Sequence, residues 1–120
     1  MEIVHLTKED FLAKVADYRI DPAEWKYLGD KPCIIDFYAS WCGPCRRLAP
    51  VLEELAEEYE GRLYIYKVDT EAEEELDTAF NIQTIPTLFF IPLNGSHHAT
   101  HGVITKEGVK QVIHDVLLKD

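Results

Sequence analysis

Two cysteines separated by two residues, Cys42 and Cys45, with Gly43 and Pro44 between them, are the residues of this chain best placed to do chemistry. They stand between an apolar run, Cys33–Tyr38, and a stretch with apolar residues at helical spacing. At a helix N-terminus, Cys42 meets unpaired backbone N–H groups and the positive end of the dipole, which favour thiolate over thiol. Three residues on, Cys45 shares its helical face and comes within reach of a disulfide with Cys42. Gly43 allows a close backbone approach, and Pro44 fixes φ early in the helix without wasting a donor. Such a pair can pass two electrons as dithiol and disulfide. The competing reading is half a zinc site, completed by His97, His98 and His101. A structural zinc site usually brings a second CxxC or a spaced His pair, whereas Pro44 and the strand–helix setting fit the redox motif. No metal is expected. Cys33, inside the apolar run, reads as an inert core residue.

The elements that must hold this pair can be read from periodicity and caps. Residues 2–6 form a short apolar edge strand. Thr7 and Asp10 then stand in the capping-box places of a helix, with Leu6 and Phe11 at the staple positions and Phe11, Leu12, Val15 and Tyr18 at helical spacing. Residues 19–32 carry Pro22, Gly29 and Pro32 and read as an irregular connection docked by Trp25, Tyr27 and Leu28. The near-continuous apolar character of Cys33–Tyr38 is that of a central strand buried on both faces. Asp36 is its one carboxylate, so burial should raise its pKa.

The helix from about Cys42 puts Leu48, Val51, Leu52, Leu55, Ala56 and Tyr59 on one face, is kinked by Pro50 and has Gly61 at C′. Residues 63–68 make the next strand, and Thr70 with Glu73 promises a capping box for a short helix ending near Phe80. Thr87–Ile91, a turn at Asn94-Gly95 and residues 99–103 read as a hairpin. Thr105 caps a last helix with Val109, Val112, Ile113, Val116 and Leu117 on one side. The order β-α-β-α-β-α-β-β-α predicts a parallel or mixed sheet covered on both faces. Glu71, Glu73, Glu74 and Glu75 read as first-turn acids facing water.

Composition narrows the function classes. With 12 Lys and Arg against 22 Asp and Glu the net charge is −10, which excludes the basic footprint that nucleic acid or an anionic membrane surface requires. Residues 85–93, the apolar part of the longest uncharged stretch, are far short of the roughly 20 a membrane-spanning helix needs. The first seven residues lack a signal-peptide pattern, so a cytoplasmic location is expected, with the cell envelope as the alternative.

Taken together these features resemble the thioredoxin family. The resemblance runs through Asp36-Phe37-Tyr38-Ala39-Ser40-Trp41-Cys42-Gly43-Pro44-Cys45, Pro50, Lys67-Val68-Asp69, Ile82, Ile85-Pro86-Thr87 and Gly102, and covers about residues 33–118. It implies an α/β thioredoxin fold, three layers α/β/α around a mixed five-stranded sheet, with residues 1–120 as one domain. It implies a protein disulfide reductase, in which Cys42 attacks and Cys45 resolves. Asp36 would be the buried carboxylate behind Cys45 and Lys67 its basic neighbour. Trp41, Gly43, Pro44, Ile85, Pro86 and Gly102 would receive the target. Pro86 matches the family's cis-proline, although from the residues alone it serves equally as a trans proline at a strand start. The implied partners are disulfide-containing target proteins and an electron-donating reductase, with no bound cofactor and a monomeric chain.

An envelope disulfide isomerase, a pathway-specific reductase and a non-catalytic binding subunit are the alternatives. Both cysteines, Asp36 and Pro86 are present, which disfavours the last. The chain departs from the family pattern at Tyr38, where many members have Trp, and in the longer, aromatic connection 19–32. It departs again at Pro92 and His97-His98-Ala99-Thr100-His101, which place His101 directly before Gly102. A surface histidine is the plain reading of His101, and a pH-dependent docking residue is the alternative.

Overall fold

Period-2 alternation in a strand that is covered on both sides organises the molecule, described here for residues 3–20 and 26–119 of a computed structural model. Strand β2, Cys33–Tyr38, is buried through its first five residues. It sits in the middle of a five-stranded sheet with β1 (Val4–His5), β3 (Tyr64–Asp69), β4 (Thr87–Ile91) and β5 (His98–His101). The spatial order is β1-β3-β2-β4-β5. β3 runs parallel to both β1 and β2, while β4 is antiparallel to β2 and β5 antiparallel to β4.

Four helices cover the two faces: α1 (Lys8–Lys14), α2 (Gly43–Glu58), α3 (Glu74–Ala79) and α4 (Lys106–Val112). Cys33, Ile35 and Phe37 point into the core shared with Phe11 of α1 and Leu76 of α3. Ile34 points the other way, into the core built with Leu48, Leu52 and Leu55 of α2 and Val109 of α4. By the same alternation Asp36 lies on the α2 side of the sheet. The expected three-layer architecture with a mixed sheet is thus present.

Local expectations fared unevenly. Thr7 and Asp10 close the capping box of α1 from both ends, and Thr105 accepts the Gly108 N–H at the start of α4. Thr70 and Glu73 do not form theirs: Glu73 itself is the N-cap of α3, with no side-chain cap bond. The Thr70 hydroxyl donates instead to the Tyr38 carbonyl, and the Glu73 carboxylate accepts from the Lys8 N–H. Longer-range partners therefore outcompeted the local cap.

Strand β5 ends at His101, two residues earlier than expected, because pairing with β4 stops where Thr87 faces His101. Val103 is left 78% exposed. The last helix is not uniform: after Val112 it widens to π-helical turns over Ile113–Leu118, keeping Ile113 and Leu117 buried. Gly61 has φ of +84°, as a helix-terminating glycine should, but stands one residue beyond C′ because Tyr59 is the C-cap. Helix α2 continues through Pro50. Tyr27 does dock, packing on the α1/α3 core and donating to the Lys31 carbonyl at 2.6 Å. Leu28 does not, since its side chain is exposed and only its N–H is used, toward the Val15 carbonyl. Glu2 and Trp25 lie outside the described residues.

Leu52 is fully buried at the centre of the α2 face. Leu52→Ala is expected to lower unfolding stability by about 3–5 kcal/mol with an unchanged urea m-value, because the cavity outlasts relaxation of its walls. Urea melts of the two proteins check this.

Candidate redox site

The chain leaves β2 at Tyr38, turns through Ala39, Ser40 and Trp41, and enters α2 with Cys42 as N-cap. Cys42 has extended backbone dihedrals, and its Sγ accepts the Cys45 N–H at 3.2 Å, one of the donors a helix start leaves unpaired. Gly43 and Pro44 fill the first two helical positions, where the missing N–H of proline costs nothing. One turn on, Cys45 is joined to Cys42 as a disulfide with the Cα atoms 5.2 Å apart. The two sulfurs pack with Ala39, against Tyr38 and Ile85.

The loop before β4 closes over this pair from the other side. The Ile85–Pro86 bond is cis, which resolves the choice the sequence left open. The Ile85 carbonyl oxygen lies 3.9 Å from Cys42 Sγ. Gly102, with φ of +83°, donates its N–H to the Pro86 carbonyl at 2.8 Å and ties the end of β5 to the same loop. Trp41 is 65% exposed. Cys42, Cys45, Trp41, Gly43, Pro44, Ile85, Pro86 and Gly102 are therefore contributed by three adjoining segments: the start of α2, the 84–86 loop and the end of β5. A cavity of about 100 Å³ adjoins them, lined by Pro44, Arg47, Leu48, Val51, Pro86 and Val103 among others.

Asp36 lies beneath. Its side chain is fully buried and, among the described residues, neither carboxylate oxygen has a hydrogen-bond partner. Burial raises its pKa to about 7, with the positive charge of Lys67 acting in the opposite direction. Asp36 and Lys67 face each other in the β2–β3 register, but the Lys67 ammonium is drawn outward, 4.4 Å above the Tyr38 ring. Tyr38, the residue that departs from the family pattern, also bonds His5 Nδ1 through its hydroxyl at 3.2 Å.

Burial pushes the Cys33 thiol up to about 12, which keeps it protonated and unreactive. His97 packs on Phe89 and has its pKa lowered by burial, while His98 lies against Phe90. His101 Nδ1 lies 3.3 Å from Thr87 Oγ1, and that hydroxyl donates to the Thr84 carbonyl. Among the described residues no three His, Cys, Asp or Glu side chains converge on a point that could hold a metal ion. The Thr87 hydroxyl was missed in the sequence. Its position next to Pro86 was a signal, but only the pairing with His101 shows its connection to the loop.

A family model described as Thioredoxin matches residues 2–115. The chain is 44% identical over 112 residues to a thioredoxin of Borreliella burgdorferi, covering 93% of this chain and 95% of that protein. It is 41% identical over 116 residues to a chloroplastic thioredoxin-like protein, CITRX, of Arabidopsis thaliana, and spans 59% of that protein's length. Among solved structures, chloroplastic thioredoxin z superposes with a TM-score of 0.79 at 26% identity, covering 96% of this chain and 94% of that one.

The buried carboxylate has a consequence for stability. With a folded pKa of about 7 against about 3.9 unfolded, the folded protein retains a proton that the unfolded chain has lost across that interval. Stability from this group is thus complete below about pH 4 and declines as pH rises toward 7, by roughly 4 kcal/mol in all. Asp36→Ala removes the penalty but leaves a small cavity that offsets part of the gain. The variant should be more stable than the parent by about 1–3 kcal/mol at pH 8 and lose that advantage at pH 4. Urea melts at both pH values test this; a variant less stable at pH 8 would contradict the buried-charge account.

Proposed function

The chain belongs to the thioredoxin family and is a thiol–disulfide oxidoreductase, and on that premise we propose that it reduces disulfides of target proteins through Cys42 and Cys45. The observation that carries the reading is the Cys42–Cys45 disulfide at the start of α2, with Cys42 Sγ facing the Ile85 carbonyl. In the reduced protein the unpaired N–H groups at the start of α2 stabilise Cys42 as a thiolate. This thiolate attacks one sulfur of a target disulfide. A Cys42–target bond forms, the target S–S bond breaks, and the second target sulfur leaves as a thiolate that takes a proton from water. Cys45 then loses its proton and attacks Cys42 Sγ, forming the intramolecular disulfide and releasing the first target sulfur as a thiolate. Two electrons pass from the dithiol to the target, and a separate reductase must return them.

Asp36 is the proposed base for Cys45. A carboxyl with a pKa of about 7 changes protonation state near neutrality, where proton transfer to and from a thiol is best matched. Lys67 tunes it from the neighbouring strand. Trp41, Gly43, Pro44, Ile85, Pro86 and Gly102 form the docking rim. An extended target segment would bond the Ile85 backbone while its disulfide faces Cys42. We take residues 1–120 as one domain that acts as a monomer without a bound cofactor, and a reducing compartment such as the cytoplasm as its setting. No described helix is long and apolar enough to cross a membrane.

With dithiothreitol as donor, the protein should accelerate reduction of insulin disulfides. Cys42→Ser should abolish the acceleration, and a fully active Cys42→Ser would overturn the mechanism. Cys45→Ser should accumulate stable mixed disulfides on Cys42, visible on a non-reducing gel. Cys33→Ala should leave turnover nearly unchanged. In stopped-flow measurements, Asp36→Ala should slow the resolving step and flatten its rise with pH through about 7.

A further inference from the structure

We propose that the face carrying Cys42 prefers target disulfides flanked by acidic residues, and that Arg46 and Arg47 read those carboxylates. The inference rests on the reductase reading and names the substrate class for the same site. It starts from how unevenly charge is distributed. The chain has 22 acidic residues, yet residues 37–52 and 78–106, which supply Trp41, Cys42, Ile85, Pro86 and Gly102, contain no Asp or Glu. Two arginines stand on this face, and one of them is held in place. Arg46 Nη1 donates to the Ser40 carbonyl at 3.1 Å, beside Trp41. Arg47 Nη1 lies 3.4 Å from where a side chain on Gly43, the residue directly after Cys42, would begin.

Both arginines are exposed, and neither pairs with a carboxylate among the described residues. Lys8, Arg19, Lys31, Lys106 and Lys110 each do have such a partner. Lys106, across the adjoining cavity from Arg47, is neutralised by Glu54 and Glu58. Of the carboxylates on the strands themselves, Asp36 is buried and Asp69 faces Tyr38 across the β2–β3 register.

Two exposed guanidinium groups, that of Arg46 anchored on Ser40 and neither with a carboxylate partner among the described residues, stand with exposed Trp41 and Val103 and suit a partner that offers apolar contact and carboxylates together. The planar fork of arginine matches a carboxylate with two parallel hydrogen bonds. The remaining negative charge of the molecule opposes an acidic partner at long range. At about 0.15 M salt, however, charges more than about 8 Å apart are largely screened, so the groups at the rim decide once contact is made.

The test uses the full chain, reduced beforehand, and three synthetic peptides that share one intramolecular disulfide loop. The loop is flanked by Glu in one peptide, by Gln in the second and by Lys in the third. Second-order rates of peptide reduction are measured at pH 7 and about 0.15 M salt. The Glu peptide should react about 5–10-fold faster than the Lys peptide, with the Gln peptide between them. Arg46→Gln combined with Arg47→Gln should bring that ratio to about 1, and the corresponding pair of Lys substitutions should keep most of it. A change in Cys42 nucleophilicity multiplies all three rates alike, so the ratio within one variant reports the rim alone. Equal rates for the Glu and Lys peptides, or a preference that survives in the double Gln variant, would overturn the proposal and leave the reductase reading intact. Failure of the parent protein to reduce any of the three would overturn that reading, and this inference with it.

Discussion

Coverage of β2 on both faces is the constraint on which the rest depends. A strand between two cores must present an apolar side chain at almost every position, and Cys33, Ile34, Ile35 and Phe37 do so. Because side chains alternate, the one polar position, Asp36, is committed to the α2 side with no freedom to turn outward. Shifting β2 by one residue would bring Phe37 to the α2 side and Asp36 to the core of Phe11 and Leu76. The same rigidity fixes the end of the strand, and the turn after Tyr38 delivers Cys42 to the start of α2. The site is therefore held at the end of a strand buried through its first five residues, while the proposed docking rim is completed by loops.

A carboxylate without hydrogen-bond partners in such a position works against folding. The nearest available charge, Lys67, spends its ammonium on the Tyr38 ring and compensates for the burial only in part. An apolar residue would fit the strand better. The proposed role of Asp36 as base would account for so costly a group at this position. Tyr38 belongs to the same arrangement, since it carries Lys67 over one face and bonds His5 at the edge of the sheet.

Charge follows a similar division. Many of the acidic residues lie on α1, on α3 and its approach, and along the later turns of α2, where they complement helix starts or pair with lysines. The segments around the cysteines are free of them.

Much of this was legible in one dimension. The Cys42-Gly43-Pro44-Cys45 spacing, the caps at Thr7 and Thr105, the apolar run of β2 and the alternation of strands and helices are all set by neighbours within a few residues. The sequence could therefore determine the redox pair, the three-layer class and the burial of Asp36 and Cys33. Where a residue had a choice between a local and a distant partner, the distant one decided. Thr70 gave up its cap for the Tyr38 carbonyl, β5 stopped opposite the first residue of β4, and Leu28 kept only a backbone bond while Tyr27 found the core. The cis geometry at Pro86, the Ile85 carbonyl opposite Cys42 and the contact of His101 with Thr87 likewise join residues far apart in the chain. Tertiary structure alone could decide them, because the energy that fixes each comes from packing across the sheet and not from the residues on either side.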